Sequence, residues 1–300
     1  MDKQNLFSRL LQKYLSNKDI RSFKGNFFYY IFYRIIRKFL SGNIKVKICN
    51  FFINASTNKN NMSNGLLNKC YFGDEAILAI IKKISDQKKI FLLDCGSNYG
   101  FYSFYVASLS SHNQVLAFEA SPKTFNTFKE NLELNNFKNI SYRNLAIDEI
   151  SGKSISFYES LNDWESSATH NNCNNNKITI VETTTIDKEL SNKNLSNFSV
   201  IIKLDIEGNE FNAIQGGVDT ILKHEPLITI ELSKYNLNNK IYNFDYFRKF
   251  LNDTKYKIYD DKLFQVNIET LIDKINNLDR FHKTIGNYLL FKDSFYIHNK

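Results

Sequence analysis

Three carboxylates lie within the segment KLDIEGNE, residues 203–210, at the end of an apolar run. That run predicts a strand over Val200–Asp205, and alternation along it places Lys203 and Asp205 on the same face. A carboxylate at the end of a strand can take a proton from a hydroxyl nucleophile or orient that hydroxyl, so Asp205 and Glu207 are our predicted catalytic residues. The alternative for each acid is a favourable position near the positive N-terminus of the next helix.

A glycine turn is the second feature that could do chemistry. The sequence DCGSNYG, residues 94–100, follows a predicted apolar strand and precedes a predicted helix. Glycine allows the backbone to approach a ligand closely, the Asp94 carboxylate can bind an ammonium group, and N–H groups at the start of a helix can bind a carboxylate. Glu119 ends the next predicted strand, where it can accept hydrogen bonds from both ribose hydroxyls. Together these groups suit S-adenosylmethionine.

A dinucleotide is the main alternative ligand for this turn. Its fingerprint is G-x-G-x-x-G, in which the middle glycine lets a pyrophosphate reach the backbone. Here the residue two positions after Gly96 is Asn98, so a side chain occupies the space that the pyrophosphate needs. We therefore predict S-adenosylmethionine as the cofactor, ahead of a nicotinamide or flavin dinucleotide and of a purely structural turn.

Residues 74–292 resemble the FkbM-type methyltransferases in the order and spacing of their motifs. Residues 93–103 are similar to the family's first motif, FEASP at 118–122 to its second, Asn144-Leu145-Ala146 to its third, and residues 203–210 to its K-x-D-x-E-G-x-E signature. The resemblance implies a Rossmann-like class I methyltransferase. Its donor site would contain Asp94, Gly96, Asn98, Gly100, Glu119, Asn144 and Ala146. The chain departs from the family pattern at Cys95 and at Ser97, where the family often has alanine.

The elements that must position these residues alternate between strand and helix. Strands are predicted at Lys89–Asp94, Gln114–Glu119, Asn139–Ala146, Val200–Asp205, Leu227–Glu231, 255–260 and Tyr288–Phe291, and helices at Asp74–Lys83, 101–110, Ser121–Asn135, Asn209–Leu222 and 242–251. This alternation predicts an α/β fold with a doubly wound, mostly parallel sheet, which binds its ligand at the carboxyl ends of the strands.

Residues 1–70 are predicted to form an N-terminal appendage of helices with a strand at 44–54, and residues 71–300 the methyltransferase domain. The aromatic stretch Asn26–Tyr33 is free of charge, but it is far shorter than the roughly twenty apolar residues that span a bilayer. With the basic residues around it, this stretch predicts an interfacial helix, so we expect residues 1–40 to contact an anionic membrane surface. The alternatives are that Phe27–Leu40 packs on the domain or forms a dimer interface.

The amino-acid composition excludes several classes of protein. A hydrophobic fraction of 43% and a charged fraction of 23% exclude a disordered chain, a fibre and a polytopic membrane protein. The net charge of +8 favours an anionic partner. Four cysteines are too few for a disulfide scaffold, and no secretion signal is recognisable at the start. We expect a cytoplasmic protein, peripheral at the inner membrane face if the N-terminal helix binds lipid.

Several other residues are weaker candidates. Asp205 and Glu231 can supply oxygen ligands for Mg²⁺, but nothing in the sequence requires a metal and we predict none. His170 and His224 are possible general bases. Residues 160–176, which include Trp164 and Ser166-Ser167, are expected to overlie the site and shape the substrate pocket.

The predicted function is an S-adenosylmethionine-dependent O-methyltransferase that acts on a hydroxyl of a sugar, a glycan or a secondary metabolite. A non-catalytic glycan-binding or scaffold module with the same fold is the alternative, and an RNA ribose methyltransferase is a weaker one. Base methylation and a DNA partner are disfavoured, because the chain lacks both the D/N-P-P-Y/F turn of amino-methyltransferases and a Pro-Cys nucleophile.

Overall fold

Strands and helices alternate along the computed structural model, which describes residues 5–15, 18–58, 63–70, 74–159, 177–239, 241–277 and 285–298. The strands are β1 (Asn43–Ile48), β2 (Phe51–Ser56), β3 (Ile90–Cys95), β4 (Gln114–Phe118), β5 (Ile140–Arg143), β6 (Ala146–Ile147), β7 (Ser154–Glu159), β8 (Lys177–Thr184), β9 (Ser199–Leu204), β10 (Leu227–Ser233), β11 (Lys257–Tyr259), β12 (Gln265–Val266) and β13 (Ile285–Phe291).

The helices cover both the N-terminal segment and the connections between strands. They are α1 (Leu6–Leu15), α2 (Phe27–Ile36), α3 (Asn64–Lys69), α4 (Glu75–Ser85), α5 (Phe101–Leu109), α6 (Pro122–Glu133), α7 (Ile186–Leu190), α8 (Glu210–Gln215), α9 (Val218–His224), α10 (Lys234–Asn238), α11 (Phe244–Thr254), α12 (Ile268–Asn276) and α13 (Asp293–His298), with a 3₁₀ turn at Ile20–Phe23.

The central sheet has the order β12-β11-β13-β10-β9-β3-β4-β5. The five strands from β10 to β5 are parallel to one another, whereas β13 lies antiparallel between β10 and β11. Helices connect the parallel strands. The predicted α/β class and its mostly parallel, Rossmann-like sheet are therefore confirmed.

Each face of the sheet has its own hydrophobic core, because side chains alternate along the strands. Ile90, Leu92 and Ile201 pack toward α4, α5 and the N-terminal segment. Their neighbours Leu93 and Ile202 pack on the opposite face, with α8, α9 and α11. The central strands β3 and β9 are buried on both sides, which explains their continuous apolar sequences.

The N-terminal segment packs on the first of these faces. Its strands β1 and β2 form a hairpin, and the ring of Phe51 in β2 lies 5.6 Å from that of Phe101 and 5.9 Å from that of Phe104, both in α5. Asn131 of α6 and Asn135, just after this helix, hydrogen bond to the backbone of β2. The β1–β2 hairpin of the N-terminal segment therefore packs on the domain; the packing of Phe27–Leu40 on the domain and the predicted division at residue 70 stay predictions.

Three predicted elements differ from the structure. The single strand expected at 44–54 is two strands, since the chain turns at Cys49, whose φ is +52°. The strand expected at Asn139–Ala146 is interrupted after Arg143, and its last part pairs with β8 in a second sheet. The helix expected at Asn209–Leu222 breaks between α8 and α9 at Gly216, where a side chain would meet the carbonyl oxygen of Asp148 at 2.3 Å.

Candidate active site

Charged side chains gather on one face of the sheet, at the carboxyl ends of its central strands. Asp94 in β3 and Thr229 in β10 both pair with Lys203 in β9, so these three residues form one row across the sheet. Asp205 and Glu231 lie two positions further along and share the same face. The alternation predicted from the sequence for Lys203 and Asp205 thus extends to the neighbouring strands.

Lys203 is the central cation of this row. It is 7% exposed, and its Nζ lies 2.8 Å from Asp205 Oδ2, 3.4 Å from the carbonyl oxygen of Gly96 and 3.9 Å from Asp94 Oδ1. Burial alone would lower the pKa of this ammonium group, but the charges of Asp205 and Asp94 outweigh burial and raise it. Lys203 therefore stays charged at any pH at which the protein works.

Asp205 and Glu231 form a carboxyl pair with a hydrogen bond between them. Burial opposes ionisation of Asp205, yet the ammonium of Lys203 and the hydrogen bond from Glu231 lower its pKa. Burial and the nearby charge of Asp205 raise the pKa of Glu231 well above its ordinary value. At neutral pH the pair consists of an ionised Asp205 and a protonated Glu231 that donates to it.

Glu207 completes a cluster of three acids. One carboxylate oxygen of each of Asp205, Glu207 and Glu231 lies within 4.8 Å of the others. This spacing would suit a cation, but the ammonium of Lys203 already supplies a positive charge to Asp205. The prediction that the site works without a metal stays a prediction.

Glu210 positions the turn that carries these acids. Its carboxylate accepts hydrogen bonds from the N–H groups of Ile206 and Gly208, and burial raises its pKa to about 7. Glu210 is 1% exposed at the start of α8. The sequence offered a position near a helix N-terminus as the alternative role for each acid. Glu210 has that role, whereas Asp205 and Glu207 face open space.

That open space is a cleft of about 690 Å³ beside the strand ends. It brings together six of the nine predicted site residues: Gly96, Asn98, Glu119, Ala146, Asp205 and Glu207. Thr124, Ile147, Phe157 and Asn209 also line it but were missed: Thr124 lies within α6, Ile147 and Phe157 lie in the second sheet, and Asn209 was considered only as part of the 203–210 segment.

Glu119 is the acid at the cofactor end of the cleft. Its Oε1 accepts the N–H of Ser121 and its Oε2 accepts the N–H of Asn98, each at 2.9 Å. Burial raises the pKa of Glu119 to about 7, although both backbone hydrogen bonds favour its ionised form. These contacts hold the carboxylate rigidly beside the glycine turn, as a group that accepts ribose hydroxyls requires.

Three predicted cofactor residues do not line the cleft. The Asn144 amide donates to the carbonyl oxygens of Glu119 and Ala120, so it holds the loop that carries Glu119. Gly100 has a φ of +91°, and a side chain there would collide with the ring of Phe104. Asp94 is fully buried beneath the turn and accepts a hydrogen bond from Ser103 Oγ at 2.6 Å.

The described residues fit S-adenosylmethionine. Glu119 provides acceptors for ribose hydroxyls, and Phe118, Ile147 and Phe157 provide apolar contacts for a purine ring. Asp94 Oδ1 has no hydrogen-bond partner within the part of the chain that the structure describes, although the ammonium of Lys203 lies 3.9 Å from it. The direct contact predicted for Asp94 would require the turn to shift, and it stays a prediction.

The two candidate histidines lie away from these residues. His224 ends α9 and does not line the cleft. His170 and the segment 160–176, with Trp164 and Ser166-Ser167, fall outside the described residues. The cleft therefore offers carboxylates rather than a histidine as its bases among the residues that the structure describes.

Comparison with known proteins identifies the family of this chain. The model of the methyltransferase FkbM domain matches residues 94–258, which is more than half of the chain. A curated relative, "Methyltransferase 1" of Beauveria bassiana (strain ARSEF 2860), is 25% identical in an alignment over 143 residues that covers 42% of this chain and 57% of the relative. The match thus spans little more than half the length of that relative.

Solved structures of methyltransferases are also similar. One is the methyltransferase FkbM of Methylobacillus flagellatus KT, with 15% identity, a TM-score of 0.42, and coverage of 77% of this chain and 52% of that chain. Another is a putative methyltransferase of Streptococcus mutans in complex with SAH, with 12% identity, a TM-score of 0.40, and coverage of 73% of this chain and 98% of that chain. The match to the family model over the glycine turn, the Glu119 strand and the Lys203–Glu210 signature shows that this chain belongs to the FkbM methyltransferase family, with S-adenosylmethionine as its cofactor.

Proposed function

We propose that this protein is an O-methyltransferase that acts on a hydroxyl of a sugar, a glycan or a secondary metabolite. One observation carries the proposal: the Asp205 side chain is 35% exposed at the cleft that contains Glu119, while Lys203 and Glu231 hold it from behind. A fixed, ionised carboxylate open to a cofactor cleft is the group that a hydroxyl nucleophile needs.

When bound, S-adenosylmethionine supplies an electrophilic methyl group, and the acceptor oxygen forms its bond to carbon as the carbon–sulfur bond breaks with its electrons staying on sulfur. Asp205 accepts a hydrogen bond from the acceptor hydroxyl and thereby directs an oxygen lone pair toward the cleft. The hydroxyl proton then passes to Asp205, which releases it to solvent through its exposed side.

Lys203 and Glu231 act on Asp205 rather than on the acceptor. The ammonium of Lys203 keeps Asp205 ionised, and the protonated Glu231 fixes its orientation through their shared hydrogen bond. The carboxylate stays open to the cleft, since the Asp205 side chain is 35% exposed. Lys203 and Glu231 are positioning residues in this proposal.

A polar depression beside the acid cluster supports a polyhydroxylated acceptor. It is lined by Asp74, Glu75, Asp260 and Asp261 as well as Asn287, the β13 residue that pairs with Glu231 in the sheet. Carboxylate and amide oxygens are good acceptors for the hydroxyl groups of a sugar.

The test combines donor binding with an acceptor screen. Calorimetry should show binding of S-adenosylmethionine and none of NAD; NAD binding alone would overturn the cofactor site. Extracted glycans, metabolites and RNA are then incubated with isotopically labelled donor and analysed by mass spectrometry. Labelled sugar or metabolite hydroxyls support the proposal. Donor binding without any turnover indicates a non-catalytic module, and labelled ribose indicates an RNA enzyme.

A further inference from the structure

An apolar face covers the outer side of the N-terminal helices. Of the nineteen large hydrophobic side chains that are exposed in the described residues, eleven lie between residues 6 and 39. We define the apolar face by six of these eleven side chains: Leu6 (68% exposed), Leu10 (53%), Phe27 (70%), Phe28 (82%), Ile31 (42%) and Ile35 (62%). Soluble monomers rarely expose so many neighbouring apolar side chains, so this surface needs an occupant.

Packing on the inner side holds the two helices in this orientation. Tyr29 and Tyr33 of α2 are buried, and the Tyr29 hydroxyl donates to the carbonyl oxygen of Leu67 at 2.7 Å. Leu11 and Leu15 of α1 are buried in the same core. The helices cannot turn the apolar face inward without losing these contacts.

The two helices form one continuous surface rather than two separate patches. The ring of Phe7 in α1 stacks on that of Phe39, just after α2, with 5.0 Å between ring centres. Tyr14 of α1 lies 5.7 Å from Phe32 of α2. The apolar face therefore extends across both helices as a single docking surface.

The charge of the segment identifies the occupant. Residues 5–40 contain eight lysines and arginines and a single acid, Asp19, whose carboxylate is paired with Arg21 at 2.6 Å. Arg34 and Lys38 are exposed on and just after α2. A second copy of the chain would bring like charges together at this surface, whereas phosphate headgroups would neutralise them.

We propose that α1 and α2 dock this protein on the surface of an anionic lipid bilayer. The apolar face enters the boundary between headgroups and acyl chains, and the basic side chains around it bind lipid phosphates. In the described part of the chain no helix has the length and apolar character needed to cross a membrane. The helices thus lie along the surface of the bilayer.

Flotation with vesicles tests the proposal on the full chain. The vesicles consist of phosphatidylcholine alone or of an equimolar mixture with phosphatidylglycerol, and each is used at low and at high salt. We expect flotation with the anionic vesicles at low salt, weakened by high salt, and little with the neutral ones. A chain that stays unbound to anionic vesicles at low salt would overturn the proposal.

Variants show whether the apolar face is responsible. The double variant Phe28→Ser/Ile31→Ser should lower the partition coefficient at least about ten-fold, since two inserted side chains are lost. Phe264→Ser is the matched control, because Phe264 is 67% exposed on the β11–β12 turn, outside this surface. An equal loss of vesicle binding in both variants, or no loss in either, contradicts the proposal. Unchanged thermal midpoints confirm that both variants fold.

Charge variants and a measurement of the oligomeric state distinguish an anionic lipid surface from a second copy of the chain as the occupant. Arg34→Glu/Lys38→Glu should reduce binding to anionic vesicles by about ten-fold or more, whereas Lys223→Glu/Lys262→Glu, at exposed lysines elsewhere, should leave most of the binding intact. Sedimentation equilibrium is run in parallel. A dimer that Phe28→Ser/Ile31→Ser dissociates, combined with no flotation of the unmodified chain, would assign the surface to a second copy instead.

Discussion

Lys203 and Asp94 pair directly across β9 and β3, yet the ammonium of Lys203 lies 3.9 Å from Asp94 Oδ1 and only 2.8 Å from Asp205 Oδ2. The lysine therefore hydrogen bonds to the acid that borders the cleft and not to the acid buried beneath it. Its position lets one cation stabilise two carboxylates of different function.

In the Lys203→Met variant, turnover should depend on pH in a range in which the turnover of the unmodified enzyme does not change. The ammonium lowers the pKa of Asp205, so its loss raises that pKa and turnover falls as the pH drops toward the new value. The variant also leaves Asp94 buried without a nearby cation, which should cost about 3–5 kcal/mol of unfolding free energy. Turnover measured as a function of pH tests the first effect, and urea denaturation tests the second. Lys223→Met is the control at an exposed lysine. An unaltered pH profile of Lys203→Met would refute the role of Lys203.

Asp205→Asn and Glu231→Gln should behave differently although both remove a carboxyl. Asparagine cannot take the hydroxyl proton, so kcat should fall by roughly 10²–10⁴-fold, while donor affinity stays within a few-fold. Glutamine at position 231 still donates a hydrogen bond to Asp205, as the protonated Glu231 does, and kcat should change little. Steady-state kinetics distinguish the two, and equal losses would show that Glu231 works in its ionised form.

Donor affinity should rise as the pH increases through the pKa of Glu119, about 7. Below this value the carboxyl is protonated and offers fewer acceptors to the ribose hydroxyls; above it both oxygens accept, so binding is strongest at alkaline pH. Calorimetry roughly one pH unit on either side of the pKa measures the change. Glu119→Gln should bind weakly without this pH dependence, and Glu119→Ala should lose up to two hydrogen bonds of about 1.5–3 kcal/mol each.

Gly96→Ala should cost more stability than the same change at Gly152. Both glycines have a positive φ, +77° and +81°, so both variants bear a similar backbone strain of about 1–2 kcal/mol. At Gly96 the added carbon would also lie 1.8 Å from the carbonyl oxygen of Asp205, whereas at Gly152 no atom lies within 4 Å. Urea denaturation should show the difference, and turnover should fall only for Gly96→Ala; similar results for both would mean that the contact with Asp205 relaxes freely.

Chelation should leave turnover unchanged, because the ammonium of Lys203 already supplies a positive charge to Asp205. Dialysis against EDTA followed by assays with and without added Mg²⁺ tests this expectation. A loss of turnover that Mg²⁺ restores would instead place a cation between Asp205, Glu207 and Glu231, whose oxygens lie within 4.8 Å of one another.

The sequence predicts most of the cleft because its residues follow patterns that are local in the chain. Glu119 and Asp205 end apolar strands, and Gly96 belongs to a turn between a strand and a helix, so their common edge follows from a parallel sheet. Asn144 is different. Its side chain supports the loop of Glu119 from the connection between β5 and β6, and no spacing in the sequence reveals that contact, while its predicted role toward the cofactor stays a prediction.

Contacts between segments that are distant in the chain cannot be predicted from local sequence patterns either. Asn287 Nδ2 lies 2.6 Å from Asp74 Oδ1, across 213 positions of the chain. Asp74 in turn accepts a hydrogen bond from Tyr102, whose ring lies 5.1 Å from the ammonium of Lys203. The position of β13 beside β10, together with the packing of α4 and α5 on the sheet, brings these residues together.

The insertion of β13 between β10 and β11 has a consequence for biosynthesis. Until Ile285–Phe291 emerges from the ribosome, one edge of β10 has no partner in the order that the finished sheet adopts. β10 is apolar along most of its length, and an unpaired apolar edge invites aggregation with other nascent chains. Since Asn287 also binds Asp74, the last strand protects that edge and joins the polar network next to Lys203 in the same late step of folding.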